Sequence, residues 1–371
     1  MNLRTRIVWA TLSSAISFQV AADVTIGLAA GSDDNPYRLN TTFEPVRDTY
    51  IHTRLRAGFE EESDKWQLNA GIDHYAFSED PTADATNWSA SARFALPDLV
   101  EGLRIQPYAR LRHRSLDYVS RFRGVPYTYR GADATGRYNY NRQELGTVID
   151  YRFNRQHELS LDLSQRWQDY DEVPGLDSLD YRQPTAELAW NYRPRRGIRI
   201  SPHVTWQQRS YDSRRATNLA GERVDGLIAE YDYLEWGLGA WFSLSKQASI
   251  WASASVEDRD DADDYFDSRW AVAKLRGRYR FADHHSLTAS VSYRDMAYER
   301  GTSTLINLED QDEVPDFQGW RVSFSYERPL MEIAGYPVTW LSSVVLDRYE
   351  SPLTNYEYDR TRFQTGFTVR L

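Results

Sequence analysis

From Asp23 onward, apolar residues fall at every second position in one short stretch after another. Val24, Ile26, Leu28 and Ala30 open the series; Ile51, Leu55, Ala57 and Phe59, then Trp66, Leu68, Ala70 and Ile72, then Trp88, Ala90, Ala92 and Phe94 continue it. A period of two puts these side chains on one face of an extended strand and their polar neighbours on the other. The pattern returns at 103–111, 145–153, 159–163, 186–192, 198–206, 234–242, 248–256, 271–281, 287–293 and 320–326. An ambiguous stretch from Val338 to Leu346 precedes a last strand in which Phe363, Phe367, Val369 and Leu371 alternate with Arg362, Gln364, Gly366, Thr368 and Arg370. The tally is about sixteen strands, an even number, as single-chain bacterial membrane barrels require.

The links between these stretches alternate in length. Short ones are Glu60 to Lys65, Asn154 to Gln156, Arg193 to Gly197, Ser243 to Gln247 and Ala282 to His285; long hydrophilic ones are Gly31 to Asp48, Asp117 to Arg137, Tyr211 to Gly226, Glu257 to Asp267 and Arg300 to Asp316. An up-and-down barrel has two rims that alternate along the chain, with short turns at the periplasmic rim and long loops at the outer one. A soluble β-sandwich has no cause to sort its loops this way. The expected fold is all-β: a transmembrane antiparallel up-and-down β-barrel of about sixteen strands formed by residues 23–371 as one domain.

Composition supports that expectation. Aromatics make up 14% of the chain, with 25 Tyr and 12 Trp, yet mean hydropathy is negative. No run approaches the roughly 18 apolar residues of a spanning helix, which excludes a helical membrane protein. An oily exterior and a polar average coexist when the two kinds of residue alternate. Residues 1–22 have the form of a secretory signal, with Arg4 and Arg6 ahead of a short apolar core at 7–16 and small residues Ala21 and Ala22 before a cut. No cysteine follows to carry a lipid anchor, and with no cysteine anywhere the chain has no disulfide or thiol nucleophile. The net charge of -10 argues against a nucleic-acid partner.

Candidate chemistry lies on the polar faces. Arg54 and Arg56 share one; Arg104, Arg110, Arg112 and Arg114 another; Lys274, Arg276, Arg278 and Arg280 a third. Facing a lumen, such ladders line a pore and concentrate anions. The alternative is that they pair with Glu144, Asp150, Asp162, Glu187, Glu235 and Glu257 as cross-strand networks that stiffen the wall. Tyr108, Tyr233 and Trp251 on the same faces can stack on sugars or belong to a rim girdle. The acidic stretch 257–264 reads as a solvated loop or a site for calcium and for divalent bridges to lipopolysaccharide, without the ordered ligand spacing of an EF-hand. His157, His284 and His285 fall in short turns, and His52, His74, His113 and His203 on separate strands. His285-Ser286 has hydrolase residue types at the wrong rim, so no catalytic residue, metal or cofactor is expected.

Two segments carry a family resemblance. The alternating, aromatic-bearing stretch from Arg360 to Leu371 resembles the closing strand of bacterial outer-membrane barrels, departing from them in ending on Leu371 where Phe is usual. The opening stretch Ile26-Gly27-Leu28-Ala29-Ala30-Gly31-Ser32-Asp33-Asp34-Asn35-Pro36-Tyr37-Arg38 resembles the start of the β-barrel porins associated with bacterial exopolysaccharide secretion. The resemblance implies a bacterial outer-membrane location and contact with lipid and lipopolysaccharide. It further implies passage of a polysaccharide, with periplasmic export machinery as a partner. A general or anion-preferring diffusion porin for small anionic solutes stays open, as does a structural or adhesive barrel with a closed lumen.

Overall fold

In a bilayer every backbone amide must bond within the protein, and a sheet achieves this only by closing on itself. The computed structural model describes residues 23–39, 42–43, 46–60, 65–97, 100–120, 124–218, 222–262, 265–299, 316–352 and 357–371. The leader at 1–22, nearly all of the Arg300 to Asp316 link, and Asp263 and Asp264 of the acidic stretch lie outside the described residues. The strands are β1 Asp23–Asp33, β2 Asp48–Glu60, β3 Trp66–Phe77, β4 Ala85–Phe94, β5 Leu103–Leu116, β6 Thr128–Tyr129, β7 Ala132–Asp133, β8 Tyr140–Arg152 and β9 His157–Tyr170. They continue as β10 Tyr181–Tyr192, β11 Ile198–Thr217, β12 Arg223–Ser243, β13 Ala248–Asp261, β14 Ser268–Arg280, β15 Ser286–Tyr298, β16 Phe317–Ile333, β17 Tyr336–Glu350 and β18 Tyr358–Arg370.

Sixteen of these close into one antiparallel barrel, each pairing with its neighbours in chain order and β1 pairing with β18; β6 and β7 form a separate small hairpin in the loop after β5. The seam runs from Thr25 opposite Arg370 to Asp33 opposite Arg362. Along each strand the expected apolar positions face outward. Leu28, Trp236 and Phe367 are 58%, 60% and 52% exposed, in a band of large apolar side chains that runs round the barrel. Such a surface is far beyond what a monomer shows to water and is the surface a barrel shows to lipid. Trp66, Tyr151, Phe153, Trp190, Tyr279, Phe281 and Tyr336 are exposed beside the short turns, forming the aromatic girdle of one interface. The chain is a transmembrane β-barrel of the bacterial outer membrane.

Three expectations are corrected. Val338 to Leu346 is the middle of β17, a full strand. It is joined to β16 by Ala334 and Gly335, both at positive φ (53° and 85°), as a tight type I′ hairpin needs. Tyr211 to Gly226 is mostly strand: β11 and β12 continue past the lipid as a hairpin with register shifts around Arg215. Glu257 to Asp261 belongs to β13, paired in register with β12, so these acidic residues form no loop. The physical reason is common to the last two. Where a strand leaves the membrane its outer face has no lipid to meet, and the apolar alternation that reveals the strand stops before the strand does.

Candidate functional site in the lumen

The lumen wall is built from the polar halves of the strands, and register decides which charges meet. Arg54 of β2 stands opposite Asp73 of β3. Asp73 accepts from Arg54 Nε (2.9 Å) and from Arg56, and lies 2.9 Å from His52 Nε2. His52 is held by stacking on Tyr75, 4.1 Å between centroids, and by Gln364, whose amide nitrogen is 3.1 Å from Nδ1. On the next wall Arg110 Nη1 donates to Glu144 Oε1 (2.6 Å), and Arg166 reaches the other oxygen at 3.2 Å. Arg110 also lies 4.2 Å above the Tyr108 ring, whose hydroxyl donates to Asp162 (2.9 Å). Arg278 approaches Glu327 at 3.7 Å and Ser286 at 3.4 Å. Arg104 stands in register with Asp150. The Arg54 and Arg56 pair is therefore wall network in full, and the β5 and β14 ladders are so in part. Asp73 and Glu327 were missed as partners, because nothing short of the register reveals them.

The remainder of the β5 and β14 ladders is not paired. Among the described residues, the side chains of Arg112 and Arg114 on β5, and of Lys274, Arg276 and Arg280 on β14, make no hydrogen bond or ion pair. Arg362 on β18, outside the three predicted ladders, is in the same condition. Between these two basic walls runs an acidic one. Asp162 faces Glu187, Glu187 faces Thr205, Thr205 faces Glu235 and Glu235 faces Glu257 in direct register across β9 to β13. Like charges directly opposite one another destabilise a sheet unless water screens them, and His203 relieves Glu235 at 3.1 Å. No group of three or more His, Asp or Glu side chains converges as a metal site among the described residues.

Two cavities open on the basic wall. One, of about 430 Å³, lies under the outer loops and is lined by Arg112, Arg114, Arg362, Tyr50, Tyr75 and Tyr118. A second, of about 470 Å³, takes in Arg56, Arg110, Arg112, Arg142 and Glu144, so that Arg112 borders both. Across the barrel, aromatic side chains pack together at the outer ends of β10 to β16. Tyr181, Tyr211, Tyr231, Phe266, Tyr298 and Phe317 form a buried aromatic cluster. Arg209, Arg214 and Arg259 lie against its rings at 4.6 to 5.9 Å. Arg259 Nε donates to the Phe266 carbonyl (2.8 Å). Tyr233 belongs to this cluster and is 8% exposed, and Tyr108 is 7% exposed, so neither presents an open face to a passing sugar; Trp251 is only partly covered. His285 bonds Tyr326 (2.8 Å) while Ser286 bonds Glu327 (3.1 Å). These partners are adjacent on β16 and so face opposite sides of the wall, and the pair is not brought together.

No protein-family model matches the chain, and no curated protein matches it. Solved structures similar to it include one titled a bacterial polysaccharide outer membrane secretin, 9% identical, with 96% of this chain and 100% of that one covered at a TM-score of 0.45. OccK2 of Pseudomonas aeruginosa is 11% identical over 95% of this chain and 98% of its own, TM-score 0.45. OmpT of Vibrio cholerae is 12% identical over 95% and 99%, TM-score 0.44. At these values the likeness conveys nothing about what this barrel carries.

Proposed function

We propose that the barrel is a passive outer-membrane conduit whose cargo is an acidic exopolysaccharide. The observation that supports this is the pair of unneutralised basic walls, Arg112, Arg114 and Arg362 on one side and Lys274, Arg276 and Arg280 on the other, in a chain that is acidic overall. Cations left without partners in a narrow lumen raise the local concentration of anions. Guanidinium forks hold carboxylates bidentately, and a series of such sites, each weak, lets a charged chain enter and leave. Periplasmic export machinery would meet the rim of short turns. In planar bilayers the native barrel should prefer anions, and polygalacturonate should interrupt the current where dextran of equal length does not. Arg112→Glu with Arg276→Glu should abolish the preference. An anion preference without block by the polymer would instead select a diffusion porin for small anions.

The buried aromatic cluster at the outer ends of β10 to β16 supports a second reading, a structural or adhesive barrel closed by its own side chains. Its mark would be the absence of single-channel currents from protein shown to be folded.

A further inference from the structure

We propose that the cavity of about 430 Å³ beneath the outer loops is a stationary binding site for one or two residues of an acidic sugar, a reading that rests on the conduit assignment and locates its first foothold. Its volume falls within the range of about 300–1,000 Å³ typical of small-molecule sites. The site is made by strands that do not touch one another. Arg112 and Arg114 project from the inner face of β5, and Arg362 from that of β18, with β1 to β4 between them. On the inner face of the intervening β1, Gly27, Ala29 and Gly31 follow one another between Thr25 and Asp33, and the Tyr50 ring of β2 lies where a Gly31 side chain would be. Small residues on β1 thus make room for the Tyr50 ring, which lines the cavity together with the basic side chains of β5 and β18.

The charge in this space is uncompensated because nearby carboxylates are already engaged. Asp33 is held by Arg360, at 2.9 and 3.0 Å from its Nε. Asp48 accepts the backbone amides of Thr49 (2.6 Å), Glu79 (3.2 Å) and Asp80 (3.1 Å). Asp80 accepts from Thr82 at 2.6 Å. Asp117 is the other carboxylate in the lining, against three guanidiniums without partners among the described residues. The roof is fixed rather than loose. Tyr37 in the loop after β1 bonds Thr82 in the loop after β3. Tyr118 is wedged edge-on against Tyr127 and Tyr138, 5.6 and 4.6 Å between centroids.

The lining selects a carboxylated pyranose over a bare anion. Guanidinium groups at one end suit a carboxylate. The rings of Tyr75 and Tyr118 and the amide of Asn87 suit the apolar faces and hydroxyls of a sugar ring. A small dicarboxylate or inorganic phosphate would satisfy the charge and leave the aromatic surface unused.

The test is equilibrium titration of the full chain in detergent with digalacturonate, cellobiose, succinate and inorganic phosphate, each variant first shown to be folded by its heat-dependent migration on a gel. Digalacturonate should bind. Arg114→Gln and Arg362→Gln should each weaken it by about tenfold or more, while Arg196→Gln, exposed in the short turn between β10 and β11, should leave it unchanged. Equal binding of cellobiose, binding of succinate or phosphate as tight as digalacturonate, or indifference to Arg114→Gln and Arg362→Gln would overturn the proposal. Because the titration reads binding and the bilayer reads conductance, an anion-selective channel that fails the titration would lose this site and keep its conduit.

Discussion

Asp33 on the first strand and Arg360 on the last, 327 positions apart, form a buried ion pair across the seam that closes the barrel. Asp33 is wholly inaccessible, and one of its oxygens also accepts the amide of Asn35 at 3.1 Å. At the other end of the seam Asp23 pairs with Arg370, but both are more than half exposed. Breaking a buried pair from one side leaves a charge stranded, at a cost of about 3–5 kcal/mol, whereas an exposed pair contributes little. Asp33→Ala should therefore lower the urea midpoint of the detergent-solubilised barrel markedly and Asp23→Ala should leave it unchanged. Equal midpoints for the two variants would show that the seam does not depend on this pair.

The same seam depends on a glycine. At Gly366 a Cβ would fall on the Leu28 carbonyl and on Ala29, backbone that cannot move without parting the two strands. At Gly277 on β14 a Cβ would meet nothing. Gly366→Ala should leave most of the protein unable to reach the compact form that resists dissociation on an unheated gel, and Gly277→Ala should fold as the native chain does.

Selectivity offers a prediction in the opposite direction to charge reversal. Asp73 neutralises Arg54 and Arg56 on the lumen face of β2 and lies against His52. Asp73→Asn removes one negative charge and leaves those cations facing the lumen. Anion over cation permeability, measured as reversal potential in a salt gradient, should rise by a factor on the order of two. A fall or no change would mean that this quarter of the wall is not on the ion path.

The fold was legible wherever lipid imposes it. Outward positions from Val24 on β1 to Phe367 on β18 follow the period of two, because one face must be apolar and the other must not. Where lipid ends, legibility ends too: Arg209 to Thr217 on β11 has no apolar face, and its strand geometry is held by pairing with β12 and by Arg215. The lumen was legible as a set of basic side chains and not as a site. Arg110 and Arg112 are two positions apart and equivalent in sequence, each with a serine of β4 on one side, yet on β8 Glu144 stands opposite the first and Arg142 opposite the second. The Asp33-Asp34-Asn35 stretch, which carries the family resemblance, has a local explanation as well. Asp33 binds Arg360, Asp34 accepts the Thr361 amide (2.6 Å) and Asn35 donates to the Asp359 carbonyl (3.0 Å), fixing the first loop to the last strand.

The outer loops should respond to acid before the barrel does. Burial pushes the Asp177 carboxyl up, but hydrogen bonds from Arg215 outweigh it and hold this loop residue below the usual carboxylate range. Asp80 behaves likewise: burial raises it, and Thr82 and Tyr37 more than reverse the effect. A carboxylate depressed in the folded state contributes its stability fully above its unfolded value, about 4, and loses it as pH falls through the lower folded value. Between pH 7 and pH 5 the loops at 78–84 and 171–180 should therefore keep constant amide protection once intrinsic exchange is corrected for pH. Below about pH 4 their protection should fall while the β-strand amides hold, since strand hydrogen bonds do not titrate. Asp177→Asn should remove the acid response from 171–180 and leave that of 78–84 in place. Protection lost in loops and strands together, at one pH, would mean that these carboxylates do not act locally.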